Sequence, residues 1–243
     1  MFNFLKKRPK IDSAKSLNIS GDMHSHILPG LDDGSPDIAS SIELAKGMYA
    51  LGIRRVIATP HVIGDMYRNT PETINTALQL LQTALQEEKI DIELSAAAEY
   101  MLDDHFINLL RKKEILPLYK NVILTEMSYA SPTGNLEDIA FEIITSGYQP
   151  IMAHPERYFY YHRNYENYYR LKELGFLLQV NLLSITGYYG SPVAKAAKYI
   201  LEKGLADFVG TDMHHTRHLN TLSDTHNISH IVRHLGEKTY NNF

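Results

Sequence analysis

The chain has 243 residues, 44% hydrophobic and 21% charged, which suits one α/β domain with a sizeable core. A net charge of -4, with no basic stripe in the body of the chain, argues against nucleic-acid binding, and no apolar run has the length of a signal peptide or a membrane-spanning helix. The absence of cysteine excludes disulfides, thiolate metal sites and any cysteine nucleophile, whereas twelve histidines leave imidazole and carboxylate as transition-metal donors, a set suited to Mn, Fe or Zn.

Residues 1–18, with Lys6-Lys7-Arg8, read as a basic, solvated tail, with transient contact with the inner face of a membrane as the alternative; the body, 19–243, reads as one cytoplasmic domain. A short first strand ends near Asp22-Met23-His24-Ser25-His26. Alternation along an extended chain points His24 and His26 the same way, with Asp22 on that side, so the histidines can share one ion. Ile27 to Gly34 is a Gly/Pro-rich loop that either returns Asp32 and Asp33 over the strand end or is a plain turn. Ser35-Pro36 opens a helix ending near Gly52, with Ile38, Ile42, Ala45 and Tyr49 as its apolar stripe.

A second strand contains Val56-Ile57-Ala58 and is followed by Thr59-Pro60-His61; Tyr67 and Arg68 beyond it are candidate substrate contacts. Thr70-Pro71 opens a helix with a stripe of Ile74, Ala77, Leu78, Leu81 and Leu85. Further strands are expected at Leu94 to Ala98 before Glu99, at Val122-Ile123-Leu124 before Glu126, and at Ile151-Met152-Ala153 before His154-Pro155-Glu156-Arg157. Leu136, Ile139, Ala140 and Ile143 mark a helix between the last two. The tyrosine-rich run from Tyr158 through Tyr169 reads as a packed helix in preference to a substrate-lining one. A strand at Leu177 to Val180 carries no ligand. A helix with Val193, Ala196, Ala197 and Ile200 ends at Gly204, and a last strand at Phe208-Val209 leads to Thr211-Asp212-Met213-His214, with Arg217 just beyond.

Seven βα units can lie open or close into a barrel, and periodicity does not separate the two. Ligands after six of the seven strands favour the barrel, whose strand ends converge on one mouth, whereas an open sheet brings together only residues near its switch point. Such a set of buried imidazoles and carboxylates needs neutralising cations, and it is too large for one ion, so two or three are expected. The chemistry indicated is hydrolysis by metal-bound hydroxide, with Arg157 and, more weakly, Arg217 as catalytic phosphate-gripping groups; a surface salt bridge is the alternative for each. No phosphate-binding glycine loop or Rossmann fingerprint is present, so no nucleotide cofactor is expected.

Asp22-x-His24-x-His26, Asp32-Asp33-Gly34, Thr59-Pro60-His61, Glu99, Glu126, His154-Pro155-Glu156-Arg157 and Asp212-Met213-His214, in that order, resemble the PHP (polymerase and histidinol phosphatase) superfamily. Within it the chain is most similar to the bacterial metal-dependent protein tyrosine phosphatases of capsule and exopolysaccharide loci. The resemblance implies a distorted seven-stranded TIM-like barrel with three divalent ions, manganese by preference. It puts His24, His26, Glu99 and Asp212 on one ion, Glu99, Glu126 and His154 on a second, and Asp33, His61 and His214 on the third. It implies as partner a bacterial tyrosine kinase with a phosphotyrosine-bearing, tyrosine-rich C-terminal tail. Histidinol-phosphate phosphatase, or another small-molecule phosphomonoesterase, is the nearest rival, and a non-catalytic metal-stabilised regulator of the kinase is the alternative of another class. An amidohydrolase would typically carry a lysine where Glu126 stands.

Overall fold

The computed structural model describes residues 16–17 and 19–241. β1 (Gly21–Asp22) leads to α1 (Ile38–Ala50); β2 (Arg55–Ala58), β3 (His61–Ile63) and β4 (Tyr67–Arg68) precede α2 (Pro71–Glu87). β5 (Glu93–Ala96) and β6 (Glu99–Met101) precede α3 (Asp104–Lys112), β7 (Val122–Glu126) precedes α4 (Leu136–Thr145), and β8 (Gln149–Ala153) precedes α5 (Glu166–Glu173). β9 (Leu177–Asn181) runs into α6 (Leu182–Thr186) and α7 (Ser191–Glu202), and β10 (Phe208–Gly210) into α8 (Thr216–Ser223) and α9 (Thr225–Leu235). No described helix is long and apolar enough to cross a membrane.

Each of the seven expected strands forms, and hydrogen bonding divides them between two sheets. β1, β2 and β5 make one parallel sheet; the other has the order β10-β9-β8-β7-β6-β3-β4 and is parallel except for the β3–β4 hairpin. Pro60 lacks an N–H and interrupts the ladder between β2 and β3. The register nevertheless carries through, with Arg55 opposite Glu93 in the small sheet and His61 opposite Glu99 in the large one. Ala97 N–H donates to the Ala58 carbonyl at 2.8 Å and Glu99 N–H to that of Pro60 at 3.1 Å, so both extended runs pass from one sheet into the other. Beyond β1 and β10, Ser25 bridges Met213, His26 N–H donates to the Met213 carbonyl at 2.8 Å, and Asp212 N–H donates to that of His24 at 2.8 Å.

The pleat sorts the apolar residues into two layers. Ile57, Ala97, Leu124, Ile151 and Ala153 join Met23 in a small cluster between the strands, while Val56, Ala58, Ile123, Met152, Leu178 and Val180 point to the larger core shared with the helices. Strands apolar on both faces are what a helix-covered parallel sheet requires. The stripes expected on α2, α4 and α7 are the buried ones apart from Leu78 and Leu136, which are partly buried.

On α1 the expectation is corrected. Its cap is Asp37, whose carboxylate accepts from Ser40 N–H, and not Ser35, whose hydroxyl bonds Ser41 and the Asp37 carbonyl. The buried face is Ser41, Leu44, Ala45 and Met48, so Ile38, Ile42 and Tyr49 lie at its margin. Within the expected tail, Leu17 is fully buried and its N–H reaches the Leu51 carbonyl. Residues 1–15 and 18 of that tail lie outside the described residues.

Candidate metal centre and active site

The nine expected ligands stand at one end of the strands. His24 and His26 follow β1, Asp33 stands in the loop between β1 and α1, His61 opens β3, Glu99 opens β6, Glu126 closes β7, His154 follows β8, and Asp212 and His214 follow β10. The donors converge in overlapping groups. His24 Nε2 lies 3.2 Å from His26 Nε2, and Glu99 Oε2 is 3.0 and 3.3 Å from the two nitrogens. Asp212 Oδ1 completes this group at 3.3 and 3.4 Å. His154 Nε2 stands 3.1 Å from Glu99 Oε1 and 4.0 Å from Glu126 Oε2, while Asp33 Oδ1 is 3.6 Å from His61 Nε2 and 3.7 Å from His214 Nε2.

The surroundings decide what these atoms present to one another. Gln179 Oε1 accepts from His24 Nδ1 at 2.9 Å and Asp32 Oδ2 from His26 Nδ1 at 2.7 Å, so each ring carries its proton on the outside and turns the Nε2 lone pair inward. His214 does the same, with Nδ1 donating to the Asp212 carbonyl at 2.9 Å. Lone pairs facing each other and facing carboxylate oxygens repel unless a cation lies between them. Bonds of about 2.0–2.2 Å to one ion place adjacent ligands roughly 3 Å apart, the spacing of the first group. Buried Glu99 Oε1 and His61 Nδ1 have no hydrogen bond, although Glu126 Oε1 comes within 3.0 Å of the latter. The donor set therefore fits divalent metal.

Electrostatics agree. Burial alone would lower the His24 pKa, but the Glu99 and Asp212 carboxylates raise it to about 9, and Asp32 with the same carboxylates holds His26 well above the usual imidazole value. Against burial, His24 and its neighbours hold Glu99 and Asp212 well below the carboxylate range. Without an ion, protons occupy the positions a metal would take. Burial and the His26 charge push His214 down to about 4.

Two ligand residues adopt left-handed backbone, His154 at φ +34° and Asp212 at φ +51°. This conformation costs a non-glycine residue roughly 1–3 kcal/mol and turns the chain sharply out of β8 and β10. Gly210 has a different constraint: a Cβ there would sit 2.8 Å from His24 Cβ and 2.9 Å from Gln179 Nε2. Asp22, expected beside the histidines, instead accepts from Thr211 N–H at 2.9 Å and the Thr211 hydroxyl at 2.5 Å, and burial pushes its pKa up to about 6.

The donors open into a cleft of about 560 Å³ whose outer wall includes Met66, Tyr67, Met101, Tyr129, Arg157 and Tyr189. Arg157 Nη1 donates to Asp212 Oδ2 at 2.8 Å, and Tyr67 stacks on His61 with ring centroids 5.9 Å apart. Arg68 and Arg217 are not in the cleft wall. Arg68 Nε bonds the Gly64 carbonyl beside His105 and Asp103, and Arg217 is exposed with its guanidinium 5.5 Å from the Tyr188 ring. The run from Tyr158 to Tyr169 packs, as expected, though as one 3-10 turn (Phe159–Tyr161) before α5; none of its residues lines the cleft. Buried Tyr158 accepts from Met127 N–H at 2.9 Å and donates to the Ala153 carbonyl at 3.1 Å.

Sequence reasoning missed the shell behind the ligands. β9, expected to carry nothing polar of use, supplies Gln179 behind His24 and Asn181, which takes Gln179 Nε2–H at 2.9 Å and donates to Asp212 Oδ2 at 2.7 Å. The signal was Gln179-x-Asn181, two amides on one face of an otherwise apolar strand. Asp32, placed in the loop, holds His26 and also accepts from His61 N–H at 2.9 Å.

Known proteins resemble this chain in sequence and fold. Tyrosine-protein phosphatase YwqE of Bacillus subtilis is 32% identical over 200 residues, 82% of this chain and 79% of its own. Tyrosine-protein phosphatase CpsB of Streptococcus pneumoniae is 28% identical over 199 residues, 79% of this chain and 82% of its own. A crystal structure from work on YwqE and CpsB as metal-dependent tyrosine phosphatases superposes with a TM-score of 0.81 at 30% identity, covering 89% of this chain and 88% of that one. A histidinol phosphate phosphatase of Lactococcus lactis, at 14% identity and a TM-score of 0.53 over 91% of this chain and 95% of its own, shares the fold. The family described as "Capsular polysaccharide synthesis, CpsB/CapC" matches residues 20–243, the span that holds each of the ligands above, and the chain belongs to it.

Proposed function

We propose that this protein is a metal-dependent protein tyrosine phosphatase acting on the phosphotyrosines of a bacterial tyrosine kinase that controls capsule or exopolysaccharide synthesis. The observation that carries the reading is the convergence of nine donor residues beneath a cleft that also presents Arg157. The names of the relatives at 32% and 28% identity support the reaction, and the family's description supports the pathway. The ligand grouping is three ions, manganese by preference with iron or zinc as alternatives: His24, His26, Glu99 and Asp212; Glu99, Glu126 and His154; Asp33, His61 and His214. The two sheets, joined through 58–60, 96–99 and the Ser25–Met213 bridge, act as one distorted seven-stranded barrel around them.

When bound, such ions supply Lewis acidity, activate water near neutral pH and neutralise phosphoryl charge. The residues of the chain do the rest. Gln179 and Asp32 hold the His24 and His26 tautomers, Asp212 and the cleft wall orient Arg157, and the guanidinium donors not used by Asp212 bind phosphoryl oxygens in the bidentate manner open to arginine. Arg217, Tyr67 and Arg68 are proposed as contacts to the surrounding substrate, with Arg217 second to Arg157 in gripping phosphate. With no cysteine in the chain, no phosphocysteine intermediate can form. The protein works as a single domain on the cytoplasmic side of the membrane.

The test is phosphate release from a phosphotyrosyl peptide by protein supplied with Mn, with histidinol phosphate as contrasting substrate. Turnover of the peptide that EDTA abolishes is expected; turnover of histidinol phosphate alone, or of neither, sinks the proposal.

A further inference from the structure

Both arginines assigned to phosphate rest on tyrosines of one turn. After α6 the chain runs Gly187-Tyr188-Tyr189-Gly190, with both glycines at positive φ, +87° and +99°, which reverses the chain within the turn. The Arg157 guanidinium carbon lies 4.2 Å from the Tyr189 ring centroid and 4.7 Å from that of Tyr129, so the cation sits between two aromatic faces. Arg217 lies 5.5 Å from the Tyr188 ring. The two tyrosine rings meet edge to face at 4.9 Å and both abut His218, whose Nδ1 bonds the carbonyl of Asp212 at 3.1 Å. A single hydrogen bond, to Asp212, leaves a guanidinium free to rotate about it; two ring faces remove that freedom and favour the positive charge through the ring quadrupoles.

We propose that the Tyr188–Tyr189 turn, with Tyr129, is the positioning element that holds the Arg157 guanidinium in place for a phosphoryl dianion. This rests on the phosphatase reading and adds to it. The Tyr188 and Tyr189 rings touch the arginines and none of the expected ligands, whereas Tyr129 also stacks on His154 at 5.7 Å, so the effect of Tyr189 falls on substrate and phosphate binding. Substrate-free order of Arg157 is part of the proposal, because rigidity present before binding is what lowers the entropic cost of gripping the anion.

The experiment uses metal-loaded full-length protein. Tyr189→Leu is expected to raise KM for a phosphotyrosyl peptide and to weaken competitive inhibition by inorganic phosphate, both by roughly five- to tenfold, with metal content unchanged. Tyr189→Phe, which keeps the ring, is expected to recover most of the loss. Should Tyr189→Leu fold poorly, Tyr129→Leu, at a ring 41% exposed that also stacks on His154, is expected to give a smaller change of the same sign, with its metal content measured alongside. An independent readout is the NMR signal of the Arg157 Nε–H in zinc-loaded protein, expected to be ordered and slow to exchange in the wild type and averaged in both leucine variants. The proposal is overturned if the leucine variants leave KM and phosphate inhibition within about twofold, if phenylalanine is as damaging as leucine, or if the arginine signal is indifferent to both. A wild type with an ordered Arg157 signal but no turnover refutes the phosphatase reading while leaving the clamp intact.

Discussion

Leu124 and Glu126 stand two residues apart on β7, and Ala97 and Glu99 stand in the same relation on the neighbouring run, yet each pair spans two opposite environments. Leu124 and Ala97 pack with Met23, Ile57 and Ile151 in an apolar floor, whereas Glu126 and Glu99 enter a wall of imidazoles. The same pleat, advanced by one period of two, turns from burial that stabilises the fold to charge that destabilises it unless a cation is bound. On the proposed reading, fold and site are thus separable along a single strand: floor residues set stability, mouth residues set metal affinity and turnover.

The strongest way to break this division is Glu99→Ala. Removing the carboxylate that faces His24, His26, His61 and His154 is expected to cost about a thousandfold or more in turnover with loss of bound metal, while the metal-free protein keeps its fold; retained activity would place the centre elsewhere. Leu124→Ala should behave oppositely. A cavity in the floor is expected to lower unfolding free energy by about 2–5 kcal/mol in urea titrations, with turnover per folded molecule nearly unchanged. Gln179→Ala probes the boundary between the regions. It frees the His24 tautomer without touching an ion, and a roughly ten- to hundredfold fall in metal affinity is expected from competition with a chelator.

The smallest effect sharpens the charge side of the comparison. With its folded-state pKa raised to about 9, His24 is protonated at pH 7 in metal-free protein, so metal uptake must displace that proton. Apparent metal affinity should therefore rise between pH 6 and 9, by at most about tenfold per unit for each proton displaced, and level off above 9. Calorimetry in two buffers of different ionisation enthalpy would detect the released proton; a pH-independent affinity would mean that the imidazoles already carry no proton.

Much of the site was legible because the ligands are local in sequence to strand ends. A short apolar run followed by His, Glu or Asp announces both the strand and the position of the donor, and each expected donor converges with the others in space. Less of its support could be read. Gln179 and Asn181 act on His24 and Asp212, far away in the chain, and nothing near them in sequence says so. The division into two sheets also escaped notice, since Pro60 interrupts one ladder while the register continues on either side of it. Ser35 looked like the cap of α1 because Pro36 follows it, but Asp37 won: its carboxylate is the group that reaches the orphan N–H of Ser40.

Sequence alone determined seven of the strands, the stripes of the main helices, the absence of thiol chemistry and the choice of candidate donors, because these depend on residue type and on periodicities of two and 3.6. Tertiary structure decided which ring nitrogen each histidine offers, that His154 and Asp212 bend into the left-handed region, that Asp22 turns away to Thr211, and that Arg157 lies between Tyr129 and Tyr189. Each of these depends on the approach of segments far apart in the chain, and a local pattern carries no record of what will stand beside it once the strands have come together.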